Sequence, residues 1–212
     1  MDGSATARLE SKRREYREAL RRYREEPFYA RLGGLVSATV LAGQAGLLAL
    51  SLQDTLGWVS ALLALALAWP LADLMGGVVH LLMDHHDRYT GQLGPLVAAF
   101  HLHHQQPRYE EKPLARVYIH ESGFKLWLPF FLAAGLGLGL AGWVDGLPLR
   151  LWAWTGILSS VAELSHFLVH ARRRPWADRL AAMGLLLSRH HHARHHREDN
   201  VGYAFLNGWS DP

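Results

Sequence analysis

The sequence predicts an all-α integral membrane protein: four transmembrane helices with a histidine-rich cap at the cytoplasmic face. Three observations predict it. Half of the residues are hydrophobic, and they gather into four long runs rather than spreading evenly. Arginine and lysine collect in every second connection between those runs. All fourteen histidines lie at or after His80, in clusters that border or follow the second and fourth runs.

The N-terminal segment, residues 1–32, holds nine Arg and Lys and no apolar stretch, so it lacks the apolar core of a secretory signal. Arg8 to Glu26 reads as a charged helix carrying Leu9, Tyr16, Leu20 and Tyr23. A solvated helix with i, i+4 ion pairs is the favoured expectation, and a helix lying on anionic lipid is the alternative. This segment is set apart from a membrane domain over residues 33–212.

The first run, Gly33 to Leu52, has no charge and is about the 20 residues that a bilayer crossing needs. Trp58 to Met83 contains a single acid, Asp73. Phe124 to Trp143 has only Lys125 near its start, and Leu149 to His170 has Arg150 at one end and Glu163 within. The connection from Asp84 to Ser122 holds Arg88, Arg108, Lys112 and Arg116, and the part after His170 holds seven arginines. The connections at Gln53–Gly57 and Gly146–Pro148 hold none. Basic residues mark the cytoplasmic side, so both termini are expected there. That assignment uses no histidine, yet it brings every histidine cluster to the same face.

The chain has no cysteine, which excludes disulfides, iron–sulfur clusters and thiolate metal sites. A metal must be held by nitrogen and oxygen. His80 and Asp84 are spaced i, i+4 and share a helix face. Asp73 lies two turns deeper, where an acid is costly. It either supports His80 through the free ring nitrogen or makes a helix-packing hydrogen bond. His166 and His170 repeat the i, i+4 spacing, with Glu163 one turn before them. The apolar stretch Leu93–Phe100 is too short to span and leads into His101, His103 and His104. His191, His192, His195 and His196 form two adjacent pairs after the apolar segment Trp176–Leu187. So many candidate ligands exceed the needs of one ion. Two ions with imidazole and carboxylate ligands suit iron and dioxygen, a chemistry able to remove hydrogen from the unactivated C–H bonds of a lipid chain.

Four motifs, in order, resemble those of the Kua/CarF lipid desaturase family. They are Asp73-Leu-Met-Gly-Gly-Val-Val-His80-Leu-Leu-Met-Asp84, Phe100-His-Leu-His103-His104, His166-Phe-Leu-Val-His170 and His191-His192-Ala-Arg-His195-His196. The segment Tyr203-Ala-Phe-Leu-Asn-Gly208-Trp209 is similar to a fifth element, and the likeness covers about Leu71 to Trp209. The family's Arg-His-Asp-Phe element corresponds to Ala115–His120, where His120 either takes the ligand's place from a shifted position or the ligand is absent. Asn200 stands where the family has a further histidine. His85 gives the spacing of broader membrane desaturases and competes with Asp84.

The resemblance implies a membrane non-haem di-iron desaturase that uses O2 and two electrons from an external donor such as cytochrome b5, ferredoxin or a reductase. The implied ligands are His80, Asp84, His103, His104, His120, His166, His170, His191, His192, His195 and His196, supported by Asp73, Glu163 and Asn200. The implied substrate is a membrane lipid, first plasmanylethanolamine converted to its vinyl ether and second an acyl lipid. Hydroxylation by the same centre is the neighbouring alternative. A divalent-metal transporter or storage protein is the alternative of another class, although transporters hold their ligands near mid-bilayer. No nucleic-acid partner is expected. The excess of Arg over Lys suggests a high-GC bacterium, and with it the inner membrane.

Overall fold

Pro27, Pro95, Pro129 and Pro175 each sit in the first turn of a helix, where the missing N–H has no partner to lose and the fixed φ suits the helix. A computed structural model describes residues 3–53, 57–106, 108–198 and 201–211. Its order is α1 (Gly3–Glu25), α2 (Pro27–Ser51), α3 (Gly57–Asp84), α4 (Gly94–Gln105), α5 (Leu114–Glu121), a 3-10 turn (Ser122–Phe124), α6 (Leu128–Leu140), α7 (Gly146–His170), α8 (Pro175–Ala182) and α9 (Arg189–His195). There is no strand among the described residues.

The interior follows from small residues. Ala64, Ala68, Ala72, Gly76 and His80 recur every fourth position on α3 and are all buried. This stripe lets α7 approach closely, so that Leu158 and Ala162 pack on Ala68 and Ala72. A second core joins Val36, Val40 and Leu47 of α2 to Leu128 and Leu132 of α6 and Leu149 and Ala153 of α7. Arg150, near the start of α7, is buried and donates to the carbonyls of Ser51 and Gly57 and to Ser60 Oγ. It thereby ties the end of α2 and the start of α3 to one end of the bundle. The C-terminal ends of α3 and α7 meet at the other end, beside α4 and α9.

α1 departs from a purely solvated helix. Tyr16 and Ala19 are buried against Ala98 of α4, with Leu20 and Tyr89 alongside, and Lys12 pairs with Asp87 at 3.1 Å. Its outer face does carry the expected ion pairs, Arg21–Glu25 and Arg22–Glu26, each at 2.7 Å. The chain breaks at Glu26, so α2 starts earlier than the boundary expected at residue 32.

The helices long and apolar enough to cross a membrane, among the described residues, are α2 and α3. The run Phe124–Trp143 forms a shorter helix than expected. Its α6 has 13 residues, roughly 20 Å of helix against a hydrocarbon core of about 30 Å. Pro129 fixes its first turn. At its end Gly142 takes φ 70°, a left-handed conformation that glycine adopts freely, and the N–H of Trp143 closes back on the Leu138 carbonyl. α7 has 25 residues, and its interior is more polar.

The α6–α7 contact is tight enough to test. A Cβ on Gly135 would lie 2.9 Å from Cδ1 of Trp152, whose ring is pinned by donation from Nε1 to the Phe131 carbonyl at 2.9 Å. Gly135→Val should cost about 1–3 kcal/mol and lower the unfolding midpoint in detergent by several degrees. Gly137→Val, where nothing lies within 4 Å, should leave the midpoint within a degree or so of the parent. Equal midpoints for the two variants would refute the packing argument.

Candidate metal centre

His80 projects from the buried stripe of α3, and Asp84 follows one turn later. α4 brings His103 and His104 against them, and α9 brings His195. The Nε2 atoms of His80 and His195 each lie 3.4 Å from Asp84 Oδ2, and that of His104 lies 3.1 Å from Oδ1. Three of these rings share one device. His80 Nδ1 donates to the Tyr203 carbonyl at 2.9 Å, His103 Nδ1 to the Phe100 carbonyl at 2.6 Å, and His195 Nδ1 to the Val201 carbonyl at 2.8 Å. A carbonyl only accepts, so each ring carries its proton on Nδ1 and turns a bare Nε2 lone pair inward. Those three Nε2 atoms are buried and make no hydrogen bond.

A second group lies beside the first. The Nε2 atoms of His166, His170 and His192 stand 2.8, 3.1 and 3.2 Å apart, and that of His196 stands 3.0 Å from His192 and 3.4 Å from His170. One proton can bridge two imidazole nitrogens but cannot satisfy four that face one point. Around a cation with bonds of about 2.1 Å, neighbouring nitrogens fall roughly 3.0 Å apart at right angles and about 3.4 Å apart in a tetrahedron. The observed spacings match. The rings of His103 and His166 are 5.1 Å apart and those of His80 and His166 are 6.0 Å apart, so the two groups form one paired site. The geometry and the bare lone pairs therefore fit two nearby metal ions held by nitrogen and carboxylate.

The acid–base state agrees with ligation. Burial, reinforced by neighbouring imidazoles, holds His103 and His192 well below the ordinary histidine range and brings His196 down to about 3. For His195, burial pushes down, but the Asp84 carboxylate, 3.4 Å from its Nε2, and the Val201 carbonyl leave it raised. The same carboxylate charge that favours a proton there would favour a metal cation.

Several sequence expectations are corrected. Asp73 does not touch His80. Fully buried, its Oδ1 accepts from the N–H groups of Leu206, Asn207 and Gly208, and its Oδ2 from the N–H and hydroxyl of Ser210. It holds down the C-terminal segment whose Tyr203 carbonyl orients His80. Glu163 forms an ion pair with Lys125 at 3.0 Å rather than supporting a ligand. His120 is exposed on α5, because Val117 is the residue that helix buries. His191 is outside both groups, since Asp211 takes its Nε2 at 2.7 Å. Asp211 also accepts from the Ala204 N–H, so this pair clips the C-terminal segment shut. His85 turns outward and donates to the Leu81 carbonyl, which leaves Asp84 as the residue facing the site. Asn200 lies outside the described residues. His80, Asp84, His103, His104, His166, His170, His192, His195 and His196 come together in the fold.

Other parts of the site escaped the sequence reading. Tyr109 stacks on His170 at 4.6 Å and 30°, and its N–H donates to the His170 carbonyl at 3.2 Å. No local pattern marks it. His101 is a latch: its Nε2 donates to the Met83 carbonyl, so its Nδ1 must accept from the Tyr89 hydroxyl. Phe205 packs on both His80 and His166 at 5.5 Å, and its only signal was its place in the fifth element.

Two measurements test this description. Elemental analysis of purified protein should show that His192→Ala loses about half of the bound metal or more, whereas His120→Ala and His191→Ala keep it. Comparable loss from His120→Ala would overturn the assignment. The second concerns pH. In the fold His103, His192 and His196 bind protons only far below 6.5, whereas the unfolded chain takes them up near 6.5. Below that value the unfolded state holds more protons, so stability falls as pH falls. Chelator-treated protein should lose thermal stability steadily from about pH 6.5 downward toward about 3; a flat or rising midpoint would contradict it.

No curated protein and no solved structure matches the chain. The lipid desaturase domain matches residues 69–212, which include both histidine groups, Asp73 and the C-terminal segment. The chain therefore belongs to the lipid desaturase family of the Kua/CarF type.

Proposed function

We propose that this protein is a multi-pass membrane enzyme that introduces a double bond into a lipid chain at a di-iron centre. The observation that carries the reading is the set of converging Nε2 atoms in two adjacent groups, three of them without a hydrogen bond, within a lipid desaturase domain. His80, Asp84, His103, His104 and His195 would hold one iron, and His166, His170, His192 and His196 the other. When bound, such a pair supplies the reductive activation of O2 that attack on an unactivated C–H bond requires. The balance is R–CH2–CH2–R′ + O2 + 2 e− + 2 H+ → R–CH=CH–R′ + 2 H2O. The electrons come from an external donor of the cytochrome b5, ferredoxin or reductase type.

The chain's own residues prepare the reaction. Backbone carbonyls fix the Nδ1 protons of three ligands, Asp84 balances positive charge, and Phe100 and Phe205 pack on His80 and keep water from its ring. We read α2, α3, α6 and α7 as crossing the bilayer together, with both termini and the histidine cap at the cytoplasmic face, in a bacterium at the inner membrane. Support comes from the outward face of α3, where Leu62, Leu63, Leu67, Leu74 and Val78 are exposed with no protein cover. Trp58 and Trp143 are exposed towards one end of the bundle, and Trp176 and Trp209 towards the histidine end, as interfacial tryptophans are. α6 would then cross with the help of the 3-10 turn and the loop before it.

The preferred substrate is plasmanylethanolamine, giving the vinyl ether, with an acyl lipid second. Lipid extracts of a host expressing the protein and supplied with ether lipids should contain species lighter by two hydrogens. His170→Ala should abolish them while leaving membrane insertion intact. A gain of oxygen instead would replace desaturation with hydroxylation, and zinc in place of iron without O2 uptake would replace the enzyme reading altogether.

A further inference from the structure

A cavity of about 550 Å³ opens between α1 and the end of α4, within the range of small-ligand sites. Lys12, Arg13, Tyr16 and Arg17 line it from α1, and Tyr89 and Gln105 complete the wall. No acid lines it. The charges around it differ in what they are already bound to. Lys12 is neutralised by Asp87, which takes its Nζ on a carboxylate oxygen at 3.1 Å and on the backbone carbonyl at 2.7 Å. Glu18 and Glu25 hold Arg21 at 2.6 and 2.7 Å. Arg13 and Arg17 are exposed and make no ion pair or hydrogen bond among the described residues, and Glu10, one turn before Arg13, bonds to neither. Spaced i, i+4, the two arginines share one face of α1, and Arg24 prolongs it two turns further on. A bonded route leads from the cavity wall to the metal centre. Tyr89 Oη donates to His101 Nδ1 at 2.9 Å, and His101 Nε2 donates to the Met83 carbonyl at 2.9 Å. The residue after Met83 is Asp84, at the heart of the first histidine group. Gln105, in the same wall, directly follows His104, whose side chain is 33 % exposed and the most open of that group.

We propose that Arg13 and Arg17 dock the acidic face of a one-electron carrier protein over this cavity, and that its electrons enter through Tyr89 and His101. The proposal rests on the desaturase reading for its need of electrons. Each carrier gives up one electron and leaves oxidised, so two visits supply the two electrons that one O2 consumes in the overall reaction, while the two protons come from water. Charge complementarity selects the partner: α1 carries eight basic side chains against four acids, and the two beside the cavity are free. The cavity is the size of a side chain or a small anion, so the carrier sits over it and inserts a carboxylate. Electron-transfer contacts are small, commonly below about 1,200 Å², so one helix stripe and a cavity suffice. A membrane surface is the weaker occupant. A helix that lies on lipid sinks an apolar face into it, and α1 has already committed Tyr16, Ala19 and Leu20 to α4. α1 also precedes the matched domain, so this surface is an addition of this chain to it.

The test uses full-length, metal-loaded protein in neutral detergent, an acidic [2Fe–2S] ferredoxin as probe, and a basic cytochrome c as the carrier of opposite sign. The parent should bind the ferredoxin and not the cytochrome, and the affinity should fall as sodium chloride is raised. R13E/R17E should bind the ferredoxin at least about tenfold more weakly while keeping its helical circular dichroism and its bound metal. R173E, a charge reversal on α8 away from the cavity, should bind as the parent does. Tyr89→Phe removes one hydroxyl from the route. It should bind ferredoxin normally but oxidise the reduced probe several-fold more slowly in anaerobic stopped flow. Equal binding of the two carriers, an unchanged affinity in R13E/R17E, or parent-like electron transfer in Tyr89→Phe would each overturn the proposal. Displacement by citrate beyond that by chloride at equal ionic strength would assign a free-anion site instead. Loss of co-purifying phosphatidylglycerol from R13E/R17E, with ferredoxin affinity unchanged, would assign the stripe to the membrane. Because binding is read without turnover, the two readings fail separately. Arginine-dependent docking on a protein that desaturates nothing would remove the catalytic reading alone, and lipid desaturation with docking indifferent to Arg13 and Arg17 would remove this proposal alone.

Discussion

The structure depends on where each buried imidazole keeps its proton. A ring with its proton on Nδ1, pinned to a backbone carbonyl, has no choice about the direction of its other nitrogen. His80, His103 and His195 are all set this way, by carbonyls of Tyr203, Phe100 and Val201. Two of those carbonyls belong to the C-terminal segment, and the third to the ligand's own helix. Burying bare nitrogens costs free energy unless something fills the space between them. The fold sustains that cost by anchoring the segment that supplies the carbonyls. Asp73 gathers the donors of Leu206, Asn207, Gly208 and Ser210 on a single carboxylate, and Asp211 ties Ala204 to His191. Gly77 lets this segment lie flat on α3, since a Cβ there would meet the Ala204 backbone at 3.2 Å.

Packing explains why the ligands meet at one end. The stripe from Ala64 to Gly76 sets α3 against α7 along most of its length and delivers His80 to the interior as its last member. α3 and α7 both end there, with Arg150 fixing their opposite ends. Two long helices that finish side by side give four ligand positions at i, i+4 spacing, namely His80 with Asp84 and His166 with His170. Shorter elements fill the remaining positions.

Much of the site was legible because ligand spacing on a helix is a local property. The pairs on α3, α7 and α9 could be read from their periods, and the basic connections put all the clusters on one face. What was not legible is tertiary. Asp73 looked like a partner for His80 because they share a face, but the segment from 203 to 211 crosses that face and takes the carboxylate for its own N–H groups. Glu163 looked like support for His166 until Lys125, far along the chain, was found beside it. His191 and His192 are adjacent in sequence and alike in type, and only the position of Asp211 separates them. The length of α6 is not legible for a different reason: hydropathy runs through Pro129 and Gly142, while the helix itself starts and stops beside them.

α9 shows what the centre does for the fold. A helix of seven residues is far shorter than one that persists alone in water, and its N-terminal cap is one Ser188 oxygen accepting from the His191 N–H. Its buried residues are His192 and His195, with no large apolar side chain among them. The ordinary source of helix stability, an apolar face on a core, is therefore missing. Besides the Arg189 guanidinium on the last carbonyls of α7, what α9 offers the rest of the molecule is nitrogen lone pairs, which a shared cation would hold. Metal binding would thus favour closure of the cap. The apolar bundle can form on its burial alone, while the histidine end would be completed by ions.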